Sequence, residues 1–320
     1  MSLAVAFQMD PLEDLDLAGD SSFALALEAQ RRGHAVYHYL PSALTLRDRR
    51  VRARARPVTL APDETHGYAY GDWMTLDLAT LDVVMMRQDP PFDMAYITAT
   101  HLLEKLQPET LVVNDPVQVR NAPEKLFVTH FPDLMPPTLI SSDHGEIAAF
   151  RREHGDIVLK PLFGNGGADI FRITPGDENL NALLEMFTRV YREPVIVQAY
   201  LPEIRQGDKR IILVDGEPVG AVNRVPPAGD ARANFHVGGY AERADLTRRD
   251  REVCAAIGPA LRARSLLFVG IDMIGDYLTE INVTSPTGIR EIDRLNGTRI
   301  AADVWHAVEL KAAEHRNLPE

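Results

Sequence analysis

The sequence predicts an α/β protein built in three parts, becoming α+β in its C-terminal part. Three observations carry this. Leu3–Met9 is an apolar run, followed by a helical pattern and a second strand-like run, His34–Leu40. That strand–helix–strand order marks a βαβ unit in a parallel sheet, a Rossmann-like arrangement. Between Asp156 and Leu201 a strand, a glycine turn, a strand, a helix and a strand follow one another. Further on, Asp215-Gly216 and Gly275-Asp276 interrupt strand-like runs as hairpin turn signals. The 320 residues fit two or three domains at roughly 100–200 residues each.

Taken in order, Asp10-Pro11 ends the first strand. Ser21–Arg32 carries apolar residues at Phe23, Leu25, Leu27 and Ala29, with Asp20 or Ser21 as N-cap and Gly33 as stop. Arg47–Arg56 is the one basic cluster and reads as a solvated strand or loop with alternating arginines. Leu81–Met86 and Thr110–Asn114 read as buried strands, with a helix around Tyr96–Leu106 between them. Residues 1–122 form the first expected domain.

The second, 123–200, opens with a helix over Asn121–Phe131 and a break at Asp133–Pro137. A helix from Ser142 to near Gly155, strands at Asp156–Leu162 and Asp169–Ile173, a helix at Asn179–Tyr191 and a strand at Pro194–Leu201 complete it. The third, 201–320, holds strands at Lys209–Val214, Glu217–Asn223 and within Phe268–Val283, in a mixed, largely antiparallel sheet. Helices at Thr247–Arg264 and Thr298–Glu314 flank it.

Composition narrows the function. Lysine plus arginine number 34 against 46 acidic residues, a formal charge of −12. Such a surface repels nucleic acid and anionic membranes, so neither is an expected partner. A nucleic-acid patch at Arg47–Arg56 would also need interleaved aromatic residues. The single cysteine, Cys254, can form neither an intrachain disulfide nor a cysteine-based zinc site. No apolar run reaches the roughly 18 residues of a membrane span, and Met1–Asp10 lacks a basic n-region. The expectation is a cytoplasmic enzyme.

Four constellations carry chemistry. Lys160 precedes Gly164-Asn165-Gly166-Gly167, where successive amides can turn inward around phosphate oxygens, although a tight hairpin turn uses the same residues. Lys125 could supply a second cation. Within Phe268–Pro286, Glu280 and Asn282 lie two apart and share a face. Asp272 joins them only if the turn holds three residues or the strand carries a bulge. Carboxylate and carboxamide oxygens are hard ligands suited to Mg²⁺, although a solvent-facing acidic edge would use the same residues. Arg210, Arg224 and Arg232, with Lys209 and Asn234, would form a positive island able to clamp phosphate or carboxylate, and Gly238-Gly239 follows as a flexible segment. Taken singly, each arginine serves equally as a surface ion pair. Gln198–Pro202 ends a strand whose backbone could read an adenine or simply end there.

Together these segments resemble the ATP-grasp ligases, and among them the bacterial glutathione synthetase family. The resemblance runs in order through MDP at 9–11, DSSFALALEAQRRG at 20–33, MRQDPPFD at 86–93 and EKLF at 124–127. It continues through LKPLFGNGGADIFR at 159–172, YLPEIRQGDKRIILVDGEPV at 200–219 and LFVGIDMIGDYLTEINVTSPTGIREID at 267–293. It implies an ATP-grasp fold over about 124–310, preceded by the N-terminal α/β domain on the substrate side. It implies ATP held by Lys125, Lys160, Gly164, Asn165, Gly166 and Gly167 at the phosphates, by Gln198, Tyr200 and Leu201 at the adenine, and by Asp208 near the ribose. Asp272, Glu280 and Asn282 would hold two Mg²⁺, with Mn²⁺ as substitute. Arg210 and Lys160 would act on the transferring phosphoryl group. The substrate side would comprise Asp20, Ser21, Ser22, Arg87, Arg210, Arg224, Arg232, Asn234, Gly238, Gly239, Ser285, Pro286 and Thr287.

The implied reaction joins γ-glutamylcysteine and glycine at the expense of ATP, through an acyl phosphate, with no side-chain nucleophile, and the implied assembly is a homotetramer. Two positions depart from the family pattern: Gln88, where a lysine is common, and Phe163, where an acidic residue is common. A glutamate- or D-alanine-adding ligase of the same superfamily is the alternative, and a non-catalytic nucleotide-binding module is a further one.

Overall fold

The computed structural model describes residues 2–61, 67–164, 166–227 and 239–316. Its first part opens with β1 (Ala4–Gln8), α1 (Ser21–Arg31) and β2 (Ala35–Tyr39). Asp20 caps α1 by accepting from the Phe23 amide at 2.6 Å. The strands β1 and β2 pair in parallel, as the βαβ pattern predicts. Then come β3 (Leu44–Arg47), β4 (Arg50–Leu60), β5 (Tyr68–Tyr70), β6 (Met74–Asp77), β7 (Val83–Met86), α2 (Met94–Leu103) and β8 (Leu111–Val113). The sheet runs β3-β4-β2-β1-β7-β8, with β5 and β6 added on β4. The arginine run is indeed an alternating strand: Val51, Ala53 and Ala55 are buried, while Arg50 and Arg54 face solvent.

The helix expected over Asn121–Phe131 is instead α3 (Pro116–Asn121), α4 (Glu124–Phe127) and a short 3-10 turn, Val128–His130. Pro123 is the reason: it disfavours helical backbone at Ala122, which sits at φ −126° and ψ 55°. After it comes a strand that sequence reading passed over, β9 (Thr138–Ser141), followed by α5 (His144–His154), β10 (Ile157–Pro161), β11 (Phe171–Ile173), α6 (Leu180–Val190) and β12 (Val195–Ala199). These strands form one antiparallel sheet, β11-β10-β12-β9. Ile157, Leu159, Val195 and Val197 pack with Ile147, Leu184 and Phe187 of the helices. By alternation Val158, Lys160 and Gln198 face the opposite way.

The last part is β13 (Asp208–Val214), β14 (Glu217–Val225), β15 (Tyr240–Arg243), α7 (Arg248–Ala263), β16 (Phe268–Ile274), β17 (Tyr277–Asn282), α8 (Ile289–Asn296) and α9 (Ile300–Arg316). Every pairing in its sheet, β15-β14-β13-β16-β17, is antiparallel. Both hairpin turns form where the sequence places them, with Asp215, Gly216 and Gly275 at positive φ. Thr247 caps α7 in a capping box with Asp250. Among the described residues no helix is long and apolar enough to cross a membrane.

The first and third sheets are stitched together by Asn114. Its buried amide donates to the carbonyls of Phe268 and Val283 at 2.8 and 3.0 Å and accepts from the Phe268 amide at 2.9 Å. Asn114→Ala is expected to lower stability by about 2–3 kcal/mol, because these backbone groups lose their partner while buried. Urea unfolding checks this, and an unchanged midpoint would contradict it.

Candidate active site

The second and third sheets face each other across a cleft of about 240 Å³. Its floor is one stripe of side chains crossing the third sheet. Asp208 on β13 stands opposite Arg224 on β14, and Arg210 on β13 stands opposite Asp272 on β16. Across the final hairpin Asp272 stands opposite Glu280, and Gly270 opposite Asn282. A bulge between Asp272 and Met273 makes this possible. The turn holds only two residues, so without the extra residue Asp272 would point to the other face.

The stripe is not the positive island expected from the arginines. Arg210 binds Asp272 through Nε and Nη2, at 2.5 and 2.9 Å. Arg224 binds Asp208 at 2.6 Å and Asp272 at 2.9 Å. Carboxylates and guanidiniums alternate from Arg224 to Asp272 because Asp208 and Arg210, two apart on β13, each stand directly opposite a residue of opposite charge on a neighbouring strand. Lys209 leaves the group altogether. One residue out of phase, it faces α7 and pairs with Asp250 at 2.6 Å.

Burial alone would raise the Asp272 carboxyl, but Arg210 and Arg224 outweigh it and hold it well below the usual carboxylate range. Asp208 goes the other way. Burial, helped by the charges of Asp272 and Glu280, pushes it up to about 6 against the pull of Arg224. Its Oδ1 is buried without a hydrogen-bond partner.

The opposite wall comes from α4 and the second sheet. Lys125 is buried, and its Nζ donates to the Gly164 carbonyl at 2.6 Å and to Glu124, and stands 3.6 Å from Glu280. Burial would lower its pKa, but Glu280 and Glu124 push it up to about 12, so it remains a cation. Lys160 Nζ donates to Gln198 Oε1 at 3.1 Å, and Gln198 Nε2 donates to Thr138 at 3.1 Å. Gly164 follows so tightly on β10 that a Cβ there would stand 2.4 Å from Pro161. Tyr200 lies under the Arg172 guanidinium at 3.9 Å.

Of the residues singled out from sequence, Lys125, Lys160, Gly164, Gly166, Gly167, Gln198, Tyr200, Leu201 and Asp208 line the cleft. So do Arg210, Arg224, Glu280, Asn282, Ser285, Pro286 and Thr287, with Asp272 buried beneath them. Asp20, Ser21, Ser22, Arg87 and Gly239 do not line it. Arg87 donates to Ser22 and to the Pro286 carbonyl, each at 3.0 Å, and Ser285 donates to the Arg87 carbonyl at 3.1 Å. Ser21 accepts from the Gly288 and Ile289 amides. These residues therefore brace the 285–288 turn from behind. Asn165, Arg232, Asn234 and Gly238 lie outside the described residues.

Sequence reading passed over Glu124, Arg172 and Asp89, which also line the cleft. Glu124 adjoins Lys125 in the chain, and a charged pair opening a short helix was the available signal. Cys254 is buried in α7, where burial first and then Asp250 push its thiol up to about 12. It is no nucleophile at neutral pH.

The donor set suits a hard divalent cation: two carboxylates, Asp272 and Glu280, and the Asn282 carboxamide, on neighbouring strands. Asn282 Nδ2 donates to Asp272 at 3.3 Å, which leaves its carbonyl oxygen for another partner. Among the described residues no three acidic, histidine or cysteine side chains gather at one point, so a three-ligand set here would have to include the carboxamide.

Comparison with known proteins bears on the fold and the family. The family model for the prokaryotic glutathione synthetase N-terminal domain matches residues 3–120, and that for the prokaryotic glutathione synthetase ATP-grasp domain matches 124–297. The chain is 59% identical to the glutathione synthetase of Mesorhizobium japonicum over 97% of its length and 99% of that protein's. It is 42% identical to that of Salmonella typhimurium over 96% and 98%. Among solved structures it superposes on D-cycloserine synthetase DcsG with a TM-score of 0.64 at 16% identity, over 95% of this chain and 100% of that one. For the ATP-grasp ligase PsnB complexed with minimal precursor the values are 0.64, 19%, 97% and 99%. At such identities these structures share the fold alone, and that fold is the ATP-grasp fold expected from sequence.

Proposed function

The chain belongs to the prokaryotic glutathione synthetase family, and from that premise we propose how its own cleft carries the family's reaction. The protein is an ATP-dependent carboxylate–amine ligase that joins γ-glutamylcysteine and glycine to glutathione, releasing ADP and phosphate. ATP-grasp ligases use ATP and divalent metal ions. In our reading the adenine sits at Gln198, Tyr200 and Leu201, the ribose near Asp208, and the phosphates at Lys125, Lys160 and the Gly164–Gly167 turn. Asp272, Glu280 and Asn282 would hold two Mg²⁺, with Mn²⁺ as substitute. The metal, when bound, offsets negative charge on the phosphates.

The cysteinyl carboxylate oxygen attacks the γ-phosphorus and ADP leaves, giving an acyl phosphate. The glycine amine then attacks the carbonyl carbon, phosphate leaves and the amine loses a proton. Arg210 and Lys160 offset charge on the phosphoryl group in transit. Arg224 and the Ser285–Thr287 turn face the substrate, with Ser21, Ser22 and Arg87 supporting that turn. The observation that carries this reading is the charged stripe Arg224–Asp208–Arg210–Asp272–Glu280, in one cleft with Lys125 and Lys160.

An ADP-release assay with Mg²⁺, ATP, γ-glutamylcysteine and glycine tests it. ADP and glutathione are expected in equal amounts. No ADP above the glycine-free control, with a different amino-acid pair active instead, would overturn the choice of substrates.

We also read the protein as a cytoplasmic homotetramer acting on small molecules, without nucleic-acid or membrane partners. The net charge of −12 supports the last point. Leu46, Trp73 and Met74, exposed beside β4, support self-association. A monomer by light scattering would contradict it.

A further inference from the structure

Phe163 immediately precedes the glycine turn, yet its ring reaches across to the first part of the chain. It stacks on Phe92 with centroids 6.2 Å apart and planes 21° apart. Phe92 in turn packs against Tyr96 at 5.2 Å, and Tyr96 is buried in α2. Leu162 and Phe163 meet Pro90, Phe92 and Pro123 around a gap of only about 20 Å³, room for a single water. The next residue is held independently, its carbonyl accepting from Lys125. The start of the turn is therefore fixed at two successive residues, by a ring and by an ammonium.

We propose that Phe163 is a positioning residue. Stacked on Phe92, it holds the Gly164 carbonyl at Lys125 and so presets the turn for the nucleotide phosphates. The proposal rests on the nucleotide reading of this cleft. Its physical basis is the freedom of glycine backbone, which is costly to order at the moment of binding. Phe163 orders that backbone beforehand without touching the nucleotide. Its loss should therefore weaken nucleotide binding and leave the chemical step nearly alone. An offset aromatic pair is worth about a three- to tenfold change in such an equilibrium.

The test compares Phe163→Ala, Phe92→Ala, the double variant and Phe163→Tyr. The first readout is calorimetric affinity for ADP with Mg²⁺. The second is the split between the KM for ATP and kcat. Each alanine variant is expected to bind ADP about three- to tenfold more weakly and to raise the ATP KM alike, with kcat within about twofold. The double variant should be no weaker than either single one, since one contact is lost in all three. Phe163→Tyr, which keeps the ring, should bind as the parent does. Parent-like ADP affinity in Phe163→Ala, losses that multiply in the double variant, or a tyrosine as weak as alanine would each overturn the proposal. Calorimetry decides the matter even for a parent that binds ADP but forms no glutathione, a result that would count against the ligation reading instead.

Discussion

Glu280→Ala is expected to abolish turnover, lowering kcat by about a thousandfold or more, while the protein stays folded. The two halves have separate causes. Glu280 lies in the cleft wall at the end of the charged stripe, 3.6 Å from Lys125 and in the same cleft as Lys160. In the proposed reaction it holds a metal, and charge on a phosphoryl group in transit then goes uncompensated, a loss of several kcal/mol. Folding does not need it in the same way. Its nearest cation, Lys125, stands 3.6 Å away and keeps both Glu124 and the Gly164 carbonyl when Glu280 is gone. No buried charge is stranded, so the change in stability should stay within about 1 kcal/mol. ADP release and thermal unfolding, measured together, separate the two effects. Parent kcat in a folded variant would remove Glu280 from the metal set.

How far the site was legible in sequence follows from what set each part. Local chemistry was readable: Asp20 capping α1, the two hairpin turns, and the shared face of Glu280 and Asn282 need only neighbouring residues. Asp272 was readable only as a condition, because a bulge is chosen by packing and leaves no residue signature. Nearness in the chain suggests one basic group, yet period-two alternation sends Lys209 to the opposite face. Their partners were hidden for a related reason, since register across the sheet decides which carboxylate meets which guanidinium. Thr138–Ser141 is a four-residue strand whose apolar residues, Leu139 and Ile140, are adjacent, so its sequence carries no period-two signal. The helix α8 does carry a sequence signal, in the spacing of Ile289, Ile292 and Leu295 before Gly297.

Asp272→Asn should fail differently from Glu280→Ala, losing stability as well as activity. Asp272 is buried and carries two guanidiniums at once. The amide keeps the volume and one acceptor oxygen but removes the charge paired with Arg210, whose other hydrogen bond is to the Thr287 carbonyl at 3.3 Å. Removing one partner of a buried ion pair costs about 3–5 kcal/mol. Here the lower end is expected, because Asp208 can take over Arg224. The Asp208 carboxyl is raised to about 6 partly by the Asp272 charge, and it should titrate lower once that charge is gone.

The pH dependence follows from the direction of the Asp272 shift. A carboxyl with a lower pKa when folded stabilises fully above its unfolded pKa, about 4, and that contribution drains away as the pH falls further. The stability gap between parent and variant should therefore be widest near neutral pH and narrow below about pH 4. Urea unfolding at successive pH values measures it. Equal midpoints at pH 7 would mean that the two arginines are satisfied without Asp272. Asp272 would then be free to serve a cation alone, and its pairing with Arg210 would no longer explain how that arginine is held in the cleft.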